Sequence, residues 1–394
     1  MYGRLSVLAM GTFAIGTDSF VVAGILPQVA SSLHVSVEAT GQLVTVFALS
    51  YALLSPVMAA VTAHWSRKRV LLSGLAVLVV GNVLTAVLPT FGLVLASRAI
   101  AGLGAAMFTP TASGAAAGLA PPEQRGRALA IVMAGLSGAT ALGAPIGTVI
   151  GSTSNWRATM WFVAALAAVA FVGVAVMFPT MPAPPAVSLS QRLAPARDSR
   201  IAFTLLTTVL VLTGLYTVYT YISVSYDRAT DGDGTRLAVL LFAFGVAATV
   251  GNLVSGSLTD RFGNRRIING AVAIAAIDFA LMPWTSAYLP TAALAIVVWG
   301  LCGWGVLVPQ QHRLIQIAGA GAPLAIALNA AAIYLAVSAS GLTGALGINL
   351  VGAHNLGLIG AALIVLGLLA AERAWALVSR SRRQEQELAA SRTA

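Results

Sequence analysis

Charge is what this sequence has least of. Only 9% of its 394 residues are Asp, Glu, Lys or Arg, where a soluble domain carries about 25%. An ordinary water-facing surface is thereby excluded. Lysine is nearly absent, Lys68 being the only one. A nucleotide-binding P-loop needs Gly-Lys followed by Ser or Thr, and Lys68 stands between Arg67 and Arg69. No such loop is present, so any driving energy must come from an ion gradient or a solute's own gradient. Lys68 also falls between apolar runs, which excludes a retinal Schiff base within a bilayer. The one cysteine, Cys302, excludes an internal disulfide and any multi-cysteine metal site. The four histidines, His34, His64, His312 and His354, fall in loops or at the ends of apolar runs. No nucleophile–base pair or metal constellation assembles from them, so neither an enzyme nor a metal or organic cofactor is expected.

What the chain has instead is apolar length. Hydrophobic residues make up 58%, and the mean hydropathy is +0.89. Apolar runs fall at 5–28, 39–62, 70–89, 92–118, 128–151, 158–179, 201–225, 236–257, 267–287, 290–308, 323–350 and 356–378. Each is long enough to cross a bilayer as a helix, and their even number puts both termini on one side. The first run is longer than a signal-peptide core and passes Asp18 without a small-residue cleavage site, so no cleavable signal is expected. The net charge of +10 is distributed as an orientation signal rather than as a nucleic-acid patch. Loops after even-numbered spans, with the termini, hold 17 of the 22 Lys and Arg. The opposite side holds Arg157, Arg228 and Arg236, and Arg98 and Arg373 are inside spans. The positive-inside rule then places both termini in the cytoplasm.

The longest polar break, 181–200, is rich in Pro, Ser and Arg and reads as a cytoplasmic linker. It divides a bundle at 1–180 from one at 201–378, with a cytoplasmic tail at 379–394. The two halves echo one another. Ala59 to Arg69 matches Gly256 to Arg266 at an offset of 197, and Gly135-Leu-Ser-Gly-Ala139 matches Gly341-Leu-Thr-Gly-Ala345 at 206. The fold class expected is an all-α membrane protein, twelve transmembrane helices in two pseudo-symmetric six-helix bundles.

Asp18 lies thirteen residues into the first run, about 20 Å along a helix at 1.5 Å per residue. A carboxylate at that depth is costly without a partner or a wet cavity and marks a functional site by default. Arg98, in span 4, needs an anionic partner for the same reason. Helix rises put the two within about 6 Å of the same depth, inside the reach of an Arg side chain. Asp278 is a second acid within a span. In span 5, Gly143, Gly147 and Gly151 recur every fourth residue and line one face, fit for close approach by another helix. Pro145 frees the carbonyl of Ala141 and can bend that helix.

Several of these stretches resemble the major facilitator superfamily, and more narrowly its twelve-helix drug:proton antiporters. Gly256-x-x-x-Asp260-Arg261-x-Gly263-x-Arg265-Arg266 is similar to the family's cytoplasmic loop motif, with Asn264 where Arg is usual. The first-half copy keeps Arg67 and Lys68 but has Ala63, His64 and Ser66 in place of Asp, Arg and Gly. Arabinose-efflux and chloramphenicol-resistance permeases also lack the acid there. Arg98-x-x-x-Gly102-x-Gly104 is similar to the buried-Arg motif, and Gly143-Ala-Pro145-Ile-Gly147 to the antiporter signature, with Ala144 and Thr148 where Gly is usual.

The resemblance implies a central cavity lined by spans 1, 4, 7 and 10. Phe20, Tyr216, Tyr219 and Trp299 would form it, with Gln42, Asn329 and Tyr334 as polar candidates from spans 2 and 11. Tyr226 reads as an interfacial anchor, and Asp278, in a peripheral span, is not favoured as a proton site. The resemblance further implies a bacterial inner-membrane exporter of small, mostly apolar compounds, run by a proton gradient. Asp18 would carry the proton and Arg98 would tune it. Gly143, Pro145 and Gly147 would shape the bundle, while Arg67, Lys68, Gly256, Asp260, Arg261, Gly263 and Arg265 would build the cytoplasmic gate. The expected partners are a small-molecule substrate, protons and the lipid bilayer, without nucleic acid, and the chain is read as a monomer. The alternative is a sugar or metabolite permease of the same fold, and less favoured still is a transport-dead sensor.

Overall fold

The computed structural model describes residues 1–183 and 187–393, without side chains at 189, 320 and from 382 onward. Among the described residues, twelve helices are long and apolar enough to cross a membrane. They are α1 (Tyr2–Gly24), α2 (Val37–Val61), α3 (Arg67–Val87), α4 (Phe91–Leu119), α5 (Pro122–Thr153), α6 (Trp156–Met177), α7 (Ser199–Thr220), α8 (Gly234–Phe262), α9 (Asn264–Thr285), α10 (Leu289–Ala318), α11 (Ala322–Val351) and α12 (Ala353–Ser381). No strand occurs among the described residues. The helix of α12 continues to Thr393. Residues 184–186 of the expected linker, and the tail's side chains from 382, lie outside the described residues.

Local chemistry sets the ends. The side chains of Ser36, Ser66, Asn155, Asp198 and Asp233 accept from first-turn amides of α2, α3, α6, α7 and α8. Two expected helices stop short of their apolar runs. The run 5–28 leaves helical geometry at Ile25, before a short helix Leu26–Leu33 with Pro27 in its first turn. The run 201–225 breaks at Tyr221. The run 290–308 does the reverse. After a break at Val306 a second helical segment extends to Ala318, so Gln310, His312 and Arg313 are helical rather than in a loop.

Small residues face inward and large aliphatics outward. Leu253, Val176 and Leu350 are 73–79% exposed, as suits a surface solvated by lipid. In the first half, α1 packs on α5 and α6, α2 on α4, and α3 on α4 and α6; in the second, α7 packs on α11 and α12, α8 on α10, and α9 on α10 and α12. Helices α2 and α11 meet across the halves, as do α5 and α8. The end carrying both termini is called the terminal end below, and its opposite the far end. Close contacts join the halves toward the far end. The Tyr221 hydroxyl donates to Gly341 O at 2.8 Å and faces Glu38 O at 3.2 Å, while Gln42 Nε2 donates to Gly341 O at 3.3 Å.

The three far-end arginines are each tied down. Arg157 donates to Ala86 O in the last turn of α3 and to Leu88 O just past its end, at 2.8 and 2.9 Å. Arg228 donates to Pro283 O near the end of α9, and Arg236 pairs with Asp231. On the terminal end, Lys68 Nζ donates to Ala175 O of α6 at 2.8 Å. Cations at helix C-termini neutralise orphan carbonyls and the negative end of the dipole.

Helix α5 contains a five-residue π turn, Ala139–Gly143, immediately before Pro145. Proline has no amide hydrogen to return to Ala141, and the wider turn lets the Ala144 amide reach Ala139 O instead. The backbone of the π turn lies against Gly245 of α8. A Cβ added to Gly245 would stand 2.3 Å from Ala141 Cα. Only a residue without a side chain permits that crossing.

Candidate functional site

Asp18 of α1 and Arg98 of α4 form an ion pair sealed inside the first half. Arg98 Nη1 donates to Asp18 Oδ1 at 2.7 Å, and the side chains are 1% and 0% exposed. Arg98 Nη2 also donates to the Asp18 carbonyl at 3.3 Å. The second carboxylate oxygen, Oδ2, accepts from Asn82 Nδ2 of α3 at 2.9 Å, and Asn82 Oδ1 faces Arg98 Nη1 at 3.5 Å. The guanidinium carbon lies 4.7 Å from the Phe47 ring centre on α2, within the range of a cation–π contact. Four helices thus converge on one pair. Desolvating two charges costs several kcal/mol each, and good geometry with further hydrogen bonds is what repays it. Asn82 was not among the sequence candidates. The available signal was an amide in the middle of an apolar run.

Phe20, two residues after Asp18, turns out of this half. Its ring stacks on Tyr216 of α7 at 6.3 Å between centroids and meets Tyr219 edge-on at 5.6 Å and Trp304 of α10 at 6.3 Å. Phe20, Tyr216 and Tyr219 therefore come together across the midline as one aromatic wall. Trp299 touches the wall only from behind. It packs on Tyr219 at 6.1 Å, on Phe244 at 4.9 Å and on Phe279 of α9 at 5.2 Å, inside the second half. Trp304, five residues on, takes the place expected of it.

The polar candidates separate. Gln42 belongs to the far-end seal. Tyr334 stacks on Tyr51 of α2 at 3.5 Å and lies beside Ser19 of α1, so it sits at the seam between halves. Asn329 is buried in the second half, where its Oδ1 accepts from Thr208 Oγ1 at 2.9 Å. Gln310 Nε2 completes that cluster, 3.4 Å from the same hydroxyl. Tyr226, read as an interfacial anchor, is buried instead, beside Asp278. Asp278 is half-buried on α9 and makes no ion pair among the described residues.

The glycine face of α5 packs on α1. A Cβ at Gly143 would lie 2.0 Å from Thr17 Oγ1, next to Asp18, and one at Gly147 would lie 2.3 Å from Val21 Cγ2. Pro145 stands in the first turn of the segment after the π turn, which starts at Ala144. The site is therefore braced from behind by a helix that itself touches the other half.

Of the gate candidates, Arg67 opens α3, its amide bonded to Met181 O at 3.1 Å. Gly263 ends α8 at φ +82°, and Gly256 lies free of close side-chain neighbours. Asp260 makes no ion pair among the described residues, and Arg261 lies over Phe262. Arg265 pairs instead with Glu372 of α12, through hydrogen bonds of 3.0 and 2.5 Å. Glu372 is an acid within a span that sequence reading passed over. No group of three or more His, Cys, Asp or Glu among the described residues could hold a metal.

Comparison with known proteins places the chain. The model of the Major Facilitator Superfamily matches residues 8–321. The inner membrane transport protein YdhP of Escherichia coli (strain K12) is 30% identical over 331 residues, 84% of this chain and 85% of that protein. A chloramphenicol resistance protein of Streptomyces lividans is 33% identical over 262 residues, 65% of this chain and 67% of its own. The crystal structure of the nucleoside transporter NupG superposes with a TM-score of 0.76 on 94% of this chain and 98% of its own; at 13% identity that is a likeness of fold. YdhP and NupG are transport proteins rather than enzymes. Twelve apolar helices, the match to the family model and the 30% likeness to a membrane transport protein lead to one conclusion: the chain belongs to the Major Facilitator Superfamily of multi-pass membrane transporters.

Proposed function

We propose that the chain is a proton-coupled antiporter of the bacterial inner membrane that exports small, mostly apolar compounds by alternating access, with both termini and the segment 181–200 in the cytoplasm. One observation carries the reading: a fully buried carboxylate with a single counter-charge, two residues along α1 from an aromatic ring that belongs to the wall across the midline. A proton arriving on the Asp18 carboxylate removes the charge that holds Arg98. A flat apolar solute entering beside Phe20, Tyr216 and Tyr219 moves the same helix. Proton and solute then compete for one conformational cycle, which is the thermodynamic content of antiport. Aromatic faces suit apolar and aromatic solutes, while hydroxyl-rich sugars would need several converging polar groups. Lipid surrounds a monomer, the proton gradient is the sole energy source, and no cofactor takes part. The halves at 1–180 and 201–378 rock about the linker, and the Arg67–Lys68 and Asp260–Arg265 loops gate the terminal end.

The test is accumulation of a panel of lipophilic antibiotics, planar dyes and sugars in expressing cells, with and without an uncoupler. The apolar compounds should accumulate less in expressing cells, and the uncoupler should erase the difference. Exclusion of sugars alone, or exclusion that survives the uncoupler, refutes the reading. A Ser190→Cys label on a Cys302→Ala background, reached from outside intact cells, refutes the orientation.

A further inference from the structure

At the terminal end of the second half, a cavity of about 1050 Å³ opens between the ends of α7, α8, α9, α10 and α12. Four arginines line it: Arg200, Arg265, Arg266 and Arg313. Two are matched by acids. Asp198 holds Arg200 at 2.8 Å, its carboxyl kept below the usual carboxylate range by those hydrogen bonds, and Glu372 holds Arg265. Among the described residues Asp260 is the remaining carboxylate in the lining, which leaves one positive charge over. Arg313 is the unusual member. It is 4% exposed, yet among the described residues its Nη2 has no hydrogen-bond partner, and Nη1 reaches Ala371 O only at 3.4 Å. A buried guanidinium left in that state costs several kcal/mol unless something else completes it. The same cavity receives the N-terminus of α9, a 22-residue helix without a side-chain cap. Its first-turn amides and its dipole favour an anion. Trp375 and Phe262 add apolar wall beside the charges.

We propose that this cavity binds a phosphate-bearing anion, gripped by Arg313 and the first turn of α9, with Arg266 at the mouth. One net positive charge matches a phosphodiester monoanion, and the mixed apolar and basic lining suits a headgroup whose acyl chains stay in the bilayer. The same chemistry could be met by a soluble phosphate, so the experiment separates the two sources. It is independent of which solute the protein exports.

Wild type, Arg313→Gln, Arg313→Lys and Arg266→Gln are placed in nanodiscs of phosphatidylcholine containing a minority of phosphatidylglycerol. Lipid retained after extraction is counted by native mass spectrometry. Inorganic phosphate is separately titrated into delipidated protein in detergent, read by tryptophan fluorescence. Wild type should retain phosphatidylglycerol preferentially, and Arg313→Gln should lower that preference roughly tenfold, the loss of one charge-assisted contact. Arg313→Lys should keep part of it, and Arg266→Gln should lower it less. Phosphate binding that Arg313→Gln abolishes, without lipid preference, keeps the site and assigns it a soluble ligand. No dependence on Arg313 in either measurement overturns the proposal. If Arg313→Gln does not fold, the exposed Arg266→Gln decides: unchanged lipid preference and unchanged phosphate binding in that variant overturn it.

Discussion

Removing one charge of the Asp18–Arg98 pair and removing both should have opposite consequences for stability and the same consequence for pumping. In Arg98→Met the carboxylate stays 0% exposed and keeps only Asn82. In Asp18→Leu the guanidinium stays buried and keeps Asn82 Oδ1 at 3.5 Å and the backbone carbonyl of residue 18 at 3.3 Å. Each single change leaves an uncompensated buried charge, which costs about 3–5 kcal/mol. The double variant Asp18→Leu/Arg98→Met removes both charges and fills the space with apolar atoms. Replacing a whole buried pair in this way is often neutral or stabilising by about 1–4 kcal/mol. The double variant should therefore unfold later than either single variant, with a coupling energy of about 2 kcal/mol or more. Unfolding in mixed detergent, followed by circular dichroism, measures this. Everted vesicles then separate a structural role from a functional one. If the pair is only a tie between helices, the double variant recovers export along with stability. If Asp18 carries the proton, the double variant recovers stability while uncoupler-sensitive export stays at the passive level. Asp18→Asn should likewise bind solute but not concentrate it. A solute gradient built by Asp18→Asn and collapsed by an uncoupler would refute the assignment and turn attention to Asp278.

Two further outcomes follow from the packing. Gly143→Val places a side chain where 2.0 Å separates an ideal Cβ from Thr17 Oγ1; it should cost about 1–3 kcal/mol as overpacking and lower the monodisperse yield, with Gly143→Ala milder. Tyr221→Phe deletes the hydroxyl that joins α7 to Gly341 O and Glu38 O; losing about 0.5–1.5 kcal/mol from the far-end seal should speed labelling of a Gln42→Cys probe from outside on a Cys302→Ala background, and an unchanged rate would show that other contacts hold the seal.

The twelve spans were legible because lipid imposes one rule on every crossing segment, satisfying its backbone internally, and that rule writes long apolar runs. Where a run and its helix disagree, the cause is local: Pro27 after Ile25, the break at Tyr221, and the amphipathic extension through Gln310 to Ala318. The Asp18–Arg98 pairing was legible from depth alone, since two charges in apolar spans have few alternatives. Asn82 was not, because an amide in a helix leaves no mark until the carboxylate it serves is located. Trp299 and Trp304 are five residues apart, and sequence could not say which one reaches the midline. Glu372 and Asp260 show a similar limit. The loop motif names the charges but not their partners, and in this structure Arg265 takes the acid from α12.

The π turn in α5 does something more than replace a lost hydrogen bond. Gly135, Ala139, Gly143, Gly147 and Gly151 recur every four residues, and each step of four advances an α-helix by about 400°, or about 40° past a full turn. Over four steps the drift would reach about 160°, and Gly151 would point nearly opposite to Gly135. Yet Gly135 lies against Ala9, Gly143 against Thr17 and Gly147 against Val21, all on α1, and Gly151 against Ile25 just past its end. The π turn absorbs one residue, about 100° of phase, and returns the second half of the stripe to the same neighbour. Its consequence is a shift of phase partway along α5, beyond which close contacts with α1 continue past Asp18.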